Sequence, residues 1–368
     1  MSSAAMAGPD ERAKRMHDRL AGVAGDEATL QLMSDDIAAG SELTAAFRAI
    51  DHPAFYSVTL KNLFTPATNR DFNVFADLND YTATVIGMIR DDIAFDTVLS
   101  ADVLYTGAAG LGLPAFSMTN NDHYREIEAR GLDLRTALVR DTQTDRTDLP
   151  AAAVAGVMST RAAAEAFFVA GTNRAMLRFT LVNHLCRDLE QLKDASRSPD
   201  RIRQDVTRSP GGDSRIFMNN CVACHTGMDP LAQAFAYYDF DTTAGRIVYT
   251  AGQVQPKYFI NAENFPFGFV TENNRWDNYW REGRNANLGW SDTLPGSGTG
   301  AASMGAELAA SDAFAQCQAG KVFESVCLRP PSNDADRSQV AAMVDSLKTG
   351  GFRMKQAFAE AAVYCMGD

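Results

Sequence analysis

The sequence predicts a mainly α-helical fold, and three observations carry that expectation. Apolar residues recur at helical spacing, as in Tyr81, Val85, Met88 and Ile89 at i, i+4, i+7 and i+8. Glycine and polar breaks, such as Gly171-Thr172-Asn173 and Gly350-Gly351, punctuate the chain at helix-length intervals. Residues 246–250 are the β-leaning stretch among otherwise helical or irregular segments. No internal repeat and no low-complexity tract competes with this reading.

In chain order, residues 11–20 and 27–38 read as amphipathic surface helices, and 53–64 as a third that Pro66 stops. The Tyr81 helix opens near Asn79-Asp80. Residues 158–170 and 174–192 form two longer helices, the second carrying His184 and Cys186. A short helix over 216–226 is expected to end at Gly227 and Pro230, followed by another helical turn or two over 231–238. Residues 253–266 look irregular, and the Gly- and Ser-rich stretch 295–305 looks like a mobile loop. Helices return over 312–328, then from a cap at Ser332 or Asn333 to Gly350, and finally over 352–364.

At 368 residues the chain can hold two ordinary domains or one large one. The polar run 193–213 is the best boundary, giving a helical scaffold over 1–195 and a second region over 196–368. The net charge of −12 and the lack of a basic, aromatic-interleaved patch argue against nucleic acid as a partner. No stretch reaches the ~20 apolar residues of a transmembrane helix; residues 151–170 are interrupted by Ser159, Thr160, Arg161 and Glu165.

The chemistry concentrates in Cys221-Val222-Ala223-Cys224-His225. C-x-x-C-H is the attachment signature of a c-type haem: each thiol adds to a vinyl group, and the adjacent imidazole reaches the iron. Zinc would need four ligands, and no second C-x-x-C or H-x₃₋₅-H supplies them. A thioredoxin-like dithiol would need a βαβ pattern nearby. The expectation is therefore one covalent haem c within a mainly α fold, a helical scaffold with an embedded cytochrome c-like segment. Cys221 and Cys224 would form the thioethers and His225 would be the proximal ligand. Met228, too close in sequence to round the porphyrin edge, would pack beneath the ring and line the cofactor site. His184 and Met304 are the distal candidates, with His123 a weaker third. The arginines and glycines of 193–213 could approach the haem propionates, and Trp276 and Trp280 could pack on its edge.

The remaining cysteines, Cys186, Cys317, Cys327 and Cys365, are even in number. Cys317 and Cys327 lie about 15 Å apart along one predicted helix, beyond the ~7 Å that a disulfide tolerates. Each would thus pair with Cys186 or Cys365. Disulfides and haem c both point to a periplasmic or extracellular setting. The first eight residues lack an apolar leader core, so a leader would have been removed, and the Ala4-Ala5-Met6-Ala7 run resembles a cleavage site.

The run Asn220 through Pro230, continuing to Ala234-Phe235 and Asp239, resembles a group of bacterial envelope c-type cytochrome-like proteins with a C-x-x-C-H-x-x-M-D-P motif. Phe314 to Cys317 and Arg329-Pro330 resemble that group's C-terminal helical segment, and the likeness covers roughly residues 216–368. Where the group usually has Gly after M-D-P, this chain has Leu231-Ala232. The group has no settled activity, so the resemblance implies location and cofactor only. The leading expectation is electron transfer to a redox partner protein or another protomer. A haem-dependent oxidase or peroxidase with an open distal site is the alternative, for which the His123/Arg125 pair is the only hint. A structural protein carrying haem c in an oligomer is the third. The N-terminal ~195 residues exceed what a simple shuttle needs and leave room for oligomerisation or a second site.

Overall fold

The computed structural model describes residues 7–169 and 172–367. The Ala4–Met6 part of the expected cleavage run and the Gly171 part of the expected helix break lie outside the described residues. The fold is mainly α: the β structure among the described residues is three two-stranded antiparallel ribbons and two isolated bridges. The ribbons pair Leu104–Gly107 with Leu138–Asp141, Tyr238–Asp241 with Arg246–Tyr249, and Arg275–Asp277 with Ser297–Thr299.

Local signals explain the clearest helices. Asp26 caps Glu27–Ala38 by accepting from the Thr29 N–H, and Asn79 caps Asp80–Arg90 through Thr82. Asn333 caps Asp334–Thr349 through Asp336. Three helices near the N-terminus, Pro9–Ala21, Glu27–Ala38 and Glu42–Ile50, pack together, and the last helix, Met354–Cys365, closes on them. Phe55 meets Phe358 edge-on at 5.0 Å, and the Phe95 N–H donates to Phe352 O. One apolar core consequently runs from Ala13 to Met366, across both expected regions.

Two disulfides cross-link this core, Cys186–Cys317 and Cys327–Cys365. Cys317 and Cys327 share the Asp312–Cys327 helix and each pairs elsewhere, as the helix rise requires.

Several expected boundaries are corrected. The helix carrying C-x-x-C-H does not stop at Gly227 or Pro230 but runs over Val222–Ala232, with residues 226–232 all buried. Burial outweighs the lost backbone donor of Pro230. Gly227 has its own role: a Cβ there would overlap the Trp280 indole nitrogen, so glycine permits the close crossing of that helix and Trp280. The stretch 295–305 is not a mobile loop, because Ser297–Thr299 pairs as a strand and Ala301–Ala309 is a helix on the core. Residues 231–238 hold one 3₁₀ turn before a strand begins at Tyr238. The helix from Arg174 runs only to Thr180, continues as a π turn over Leu181–Leu185, and stops at Cys186, which is in the left-handed region.

Candidate functional site

Phe217–Cys221 forms a π-helical turn that leads directly into Val222–Ala232. Cys221, Cys224 and His225 stand at i, i+3 and i+4, which places them on one helical face. Cys221 and Cys224 are the two free cysteines, both half-buried, while the other four are disulfide-bonded. Their thiols make only weak contacts, Cys221 with Ile216 O and Cys224 with Leu189 O. Burial and the neighbouring Glu190 push the Cys224 thiol up, against the pull of Lys193. This is the reverse of an activated thiolate nucleophile.

His225 is built from the inside outward. Its Nδ1 lies 3.0 Å from Asp229 Oδ1, one helical turn on. Asp229 is fully buried and also accepts from Arg174 Nε at 2.7 Å and from the Arg203 backbone N–H at 3.3 Å. Burial alone would raise its carboxyl, but Arg174, His225 and Arg203 together hold it far below the usual carboxylate range. An ionised carboxylate can only accept, so the Nδ1 of His225 donates to Asp229 and Nε2 is the nitrogen left for another partner. Nε2 has no hydrogen-bond partner among the described residues and is not sealed from solvent. An imidazole with one nitrogen held by a carboxylate and the other free has the arrangement of a metal-ligating histidine.

The supports of Asp229 are themselves braced. Asp205 takes two bonds from Arg174, both 2.8 Å. The fully buried Arg203 reaches Asp205 and Thr172 and lies over the Tyr258 ring at 4.6 Å. On the outer side, Phe217 faces the His225 ring at 5.9 Å between centroids and packs with Ile202 and Val206. Cys221 and Val222 border that small cluster. Large apolar side chains stand in the open: Met218, next to Phe217 in the chain, is 61% exposed, and Phe267 is 94% exposed. Phe267 belongs to the segment whose Phe269 pairs with Ile202 and Gln204.

The other expected site residues, including Met228 one turn on from His225, are buried. Met228 and Met304 are buried in the main core, Met304 on the Ala301–Ala309 helix. His184 is also interior. Its Nε2 is 2.8 Å from Tyr81 Oη, its ring stacks on Phe314, and burial pushes its pKa down to about 3. His123 has both nitrogens engaged, at Pro114 O and at the Gly107 N–H, while Arg125 pairs with Asp77. Trp276 and Trp280 are core residues, the former bonded through Nε1 to Ser303. Among the described residues no group of three or more His, Cys, Asp or Glu side chains gathers to hold a bare metal ion.

Sequence reasoning missed Asp229, Arg174, Arg203 and Asp205 as functional supports. Only Asp229 carried a usable signal, standing at i+4 from a histidine on one helix. No protein-family model, no curated protein sequence and no solved structure matches this chain.

Proposed function

We propose that this chain carries one haem c and passes single electrons between partners. Cys221 and Cys224 would hold the group and His225 Nε2 would ligate its iron. In forming each thioether, the thiol sulfur bonds to one vinyl carbon and its hydrogen goes to the other, so no oxidant is consumed. When bound, the haem supplies a one-electron ferric/ferrous couple. The observation that carries the reading is the pairing of two free thiols with an imidazole whose Nε2 is unengaged, on one helical face.

The chain's own residues have definite tasks in this role. Asp229 keeps the proton at His225 Nδ1 and fixes the plane of the ring, and Arg174 and Arg203 keep Asp229 ionised. Phe217, which faces the His225 ring, would offer its ring to a flat apolar group and exclude water beside it. Two disulfides favour an oxidising compartment, periplasmic or extracellular. No helix among the described residues is long and apolar enough to cross a membrane. The electron partner would be a redox protein or a second protomer.

The test is expression with an export leader and a haem c maturation system, followed by denatured mass and optical spectra. The expected result is a mass increase of one haem that is lost in Cys221→Ala/Cys224→Ala. Reduced bands unmoved by carbon monoxide are expected of an electron carrier. Ready binding of carbon monoxide would instead indicate an open distal position and catalysis. A chain with no added haem would overturn the reading.

A further inference from the structure

Arg208 stands beside the C-x-x-C-H face in an unusual state. Its guanidinium lies between two aromatic rings, 4.8 Å from the Phe217 centroid and 3.8 Å from that of Phe265. Phe217 is the same ring that faces His225. Nη2 donates to Ile202 O at 3.1 Å, whereas the enclosed Nε has no partner. Among the described residues Nη1 has no partner either, and it is not sealed. Among the described residues no carboxylate forms an ion pair with Arg208. The acids whose fields reach it, Asp205 and Asp229, are committed to Arg174 and Arg203, and Arg174 adds a repelling charge. On the neighbouring turn, Asp213 is taken by Arg215. Burial accordingly lowers the pKa of Arg208, although Asp229 and Asp205 oppose the shift.

A half-buried guanidinium with two aromatic walls and free donors is built to receive a planar anion. On the haem reading, the group that would lie against Phe217 carries two propionate carboxylates. Resting on the haem reading above, we propose that Arg208 anchors a haem propionate and thereby tunes the potential of the iron. Its positive charge opposes the ferric state and keeps the propionate ionised. Removing it would leave a bare propionate at neutral pH, which favours the ferric form and lowers the potential.

The experiment is redox titration of the holo-protein from pH 5 to pH 8.5 as wild type, Arg208→Gln and Arg208→Lys, each first checked by mass for covalent haem. The wild type is expected to have a nearly flat profile. Arg208→Gln is expected to favour the ferric state about tenfold more at pH 8, a fall of about 59 mV for one electron, with the gap narrowing in acid as the propionate protonates. Arg208→Lys, which keeps the charge, is expected to follow the wild type. A purely structural role would not move the pH profile. Covalent haem with superimposable wild-type and Gln profiles would overturn the proposal, as would a Lys variant displaced as far as Gln. If the Gln variant does not mature, ¹³C-propionate NMR of the wild type decides. One carboxyl still ionised well below the ordinary carboxylate range supports the anchor, and two ordinary titrations sink it. Absence of haem from the wild type itself would be a failure of the cofactor reading, distinguishable from all of these.

Discussion

Asp229→Asn removes one charge and almost no volume, so it isolates the electrostatic support beneath His225. The carboxylate is fully buried and accepts from Arg174 at 2.7 Å, His225 at 3.0 Å and the Arg203 amide at 3.3 Å. Removing one partner of a buried ion pair costs about 3–5 kcal/mol, largely because the other charge is stranded. Arg174 is not stranded here, because Asp205 keeps two bonds to it at 2.8 Å. The loss is therefore placed at the lower end, about 3 kcal/mol. With a urea slope of about 3 kcal/mol/M for a chain of this size, the midpoint should fall by about 1 M. Far-UV circular dichroism at pH 7, with both disulfides intact, reads that shift directly. The pH dependence supplies a second check. The folded-state pKa of Asp229 is depressed, so its contribution is complete above the unfolded value of about 3.9 and is lost as pH falls towards the folded one. The gap between wild type and variant should thus be constant from pH 5 to 8 and shrink below about pH 4. An Asn variant with an unchanged midpoint at pH 7 would refute the claim that this ion pair holds the site.

Three further outcomes are expected. Gly227→Ala gains about 1 kcal/mol of helix propensity but drives a methyl group into the fully buried Trp280 indole, so a net loss of about 1–2 kcal/mol should appear in urea titration; a variant more stable than wild type would contradict the packing. His184, lowered by burial to about 3, contributes stability that is complete above pH 6.5 and lost as pH falls toward 3. The difference between wild type and His184→Asn should therefore fall by about 1.4 kcal/mol per pH unit between pH 6 and 4, and a flat difference would rule this out. Opening Cys186–Cys317, which joins residues 131 positions apart, should cost about 5 kcal/mol, and opening Cys327–Cys365, 38 apart, about 4 kcal/mol; paired Cys→Ala variants compared by urea midpoint would show the reverse order if loop closure were not the cause.

Helices with caps and periodicity were legible because their signals are local. Glu27–Ala38 matches its predicted span, and Asn333 caps the predicted penultimate helix. Of the ribbons, the β-leaning stretch 246–250 was legible and holds the strand Arg246–Tyr249, but the other strands, of three or four residues such as Leu104–Gly107, carry too little alternation to announce themselves. Met304 sits in a Gly- and Ser-rich stretch that reads as loop, yet the apolar core captures it as helix. Pro230 misled in the same way: a proline normally ends a helix, and tertiary burial from Thr226 to Ala232 overrode it. For the cysteines, helix rise excluded one pairing, while the choice between the other two depended on how distant helices dock. At the site, the run from Cys221 to His225 was plain, but Arg174 and Asp205 stand 55 and 24 residues from Asp229. No local pattern joins residues at that separation.

That long-range support bears on the size of the chain, which exceeds what an electron shuttle needs. His225 is oriented by Asp229, and Asp229 by Arg174 on the Arg174–Thr180 helix. That helix continues through a π turn to Cys186, whose disulfide joins it to the Asp312–Cys327 helix. The second disulfide then ties that helix to Met354–Cys365, which packs on the N-terminal helices. A continuous path of ion pairs, covalent links and packed helices thus leads from the imidazole to the Pro9–Ala21 and Met354–Cys365 helices. A buried carboxylate can be held ionised only where its counter-charges are fixed and dry, and fixing Arg174 requires the elements that enclose it. On the proposed function, the N-terminal region is therefore part of the ligand support. Weakening that path far from the motif, for instance at Cys186–Cys317, should loosen the orientation of His225 as well as the fold.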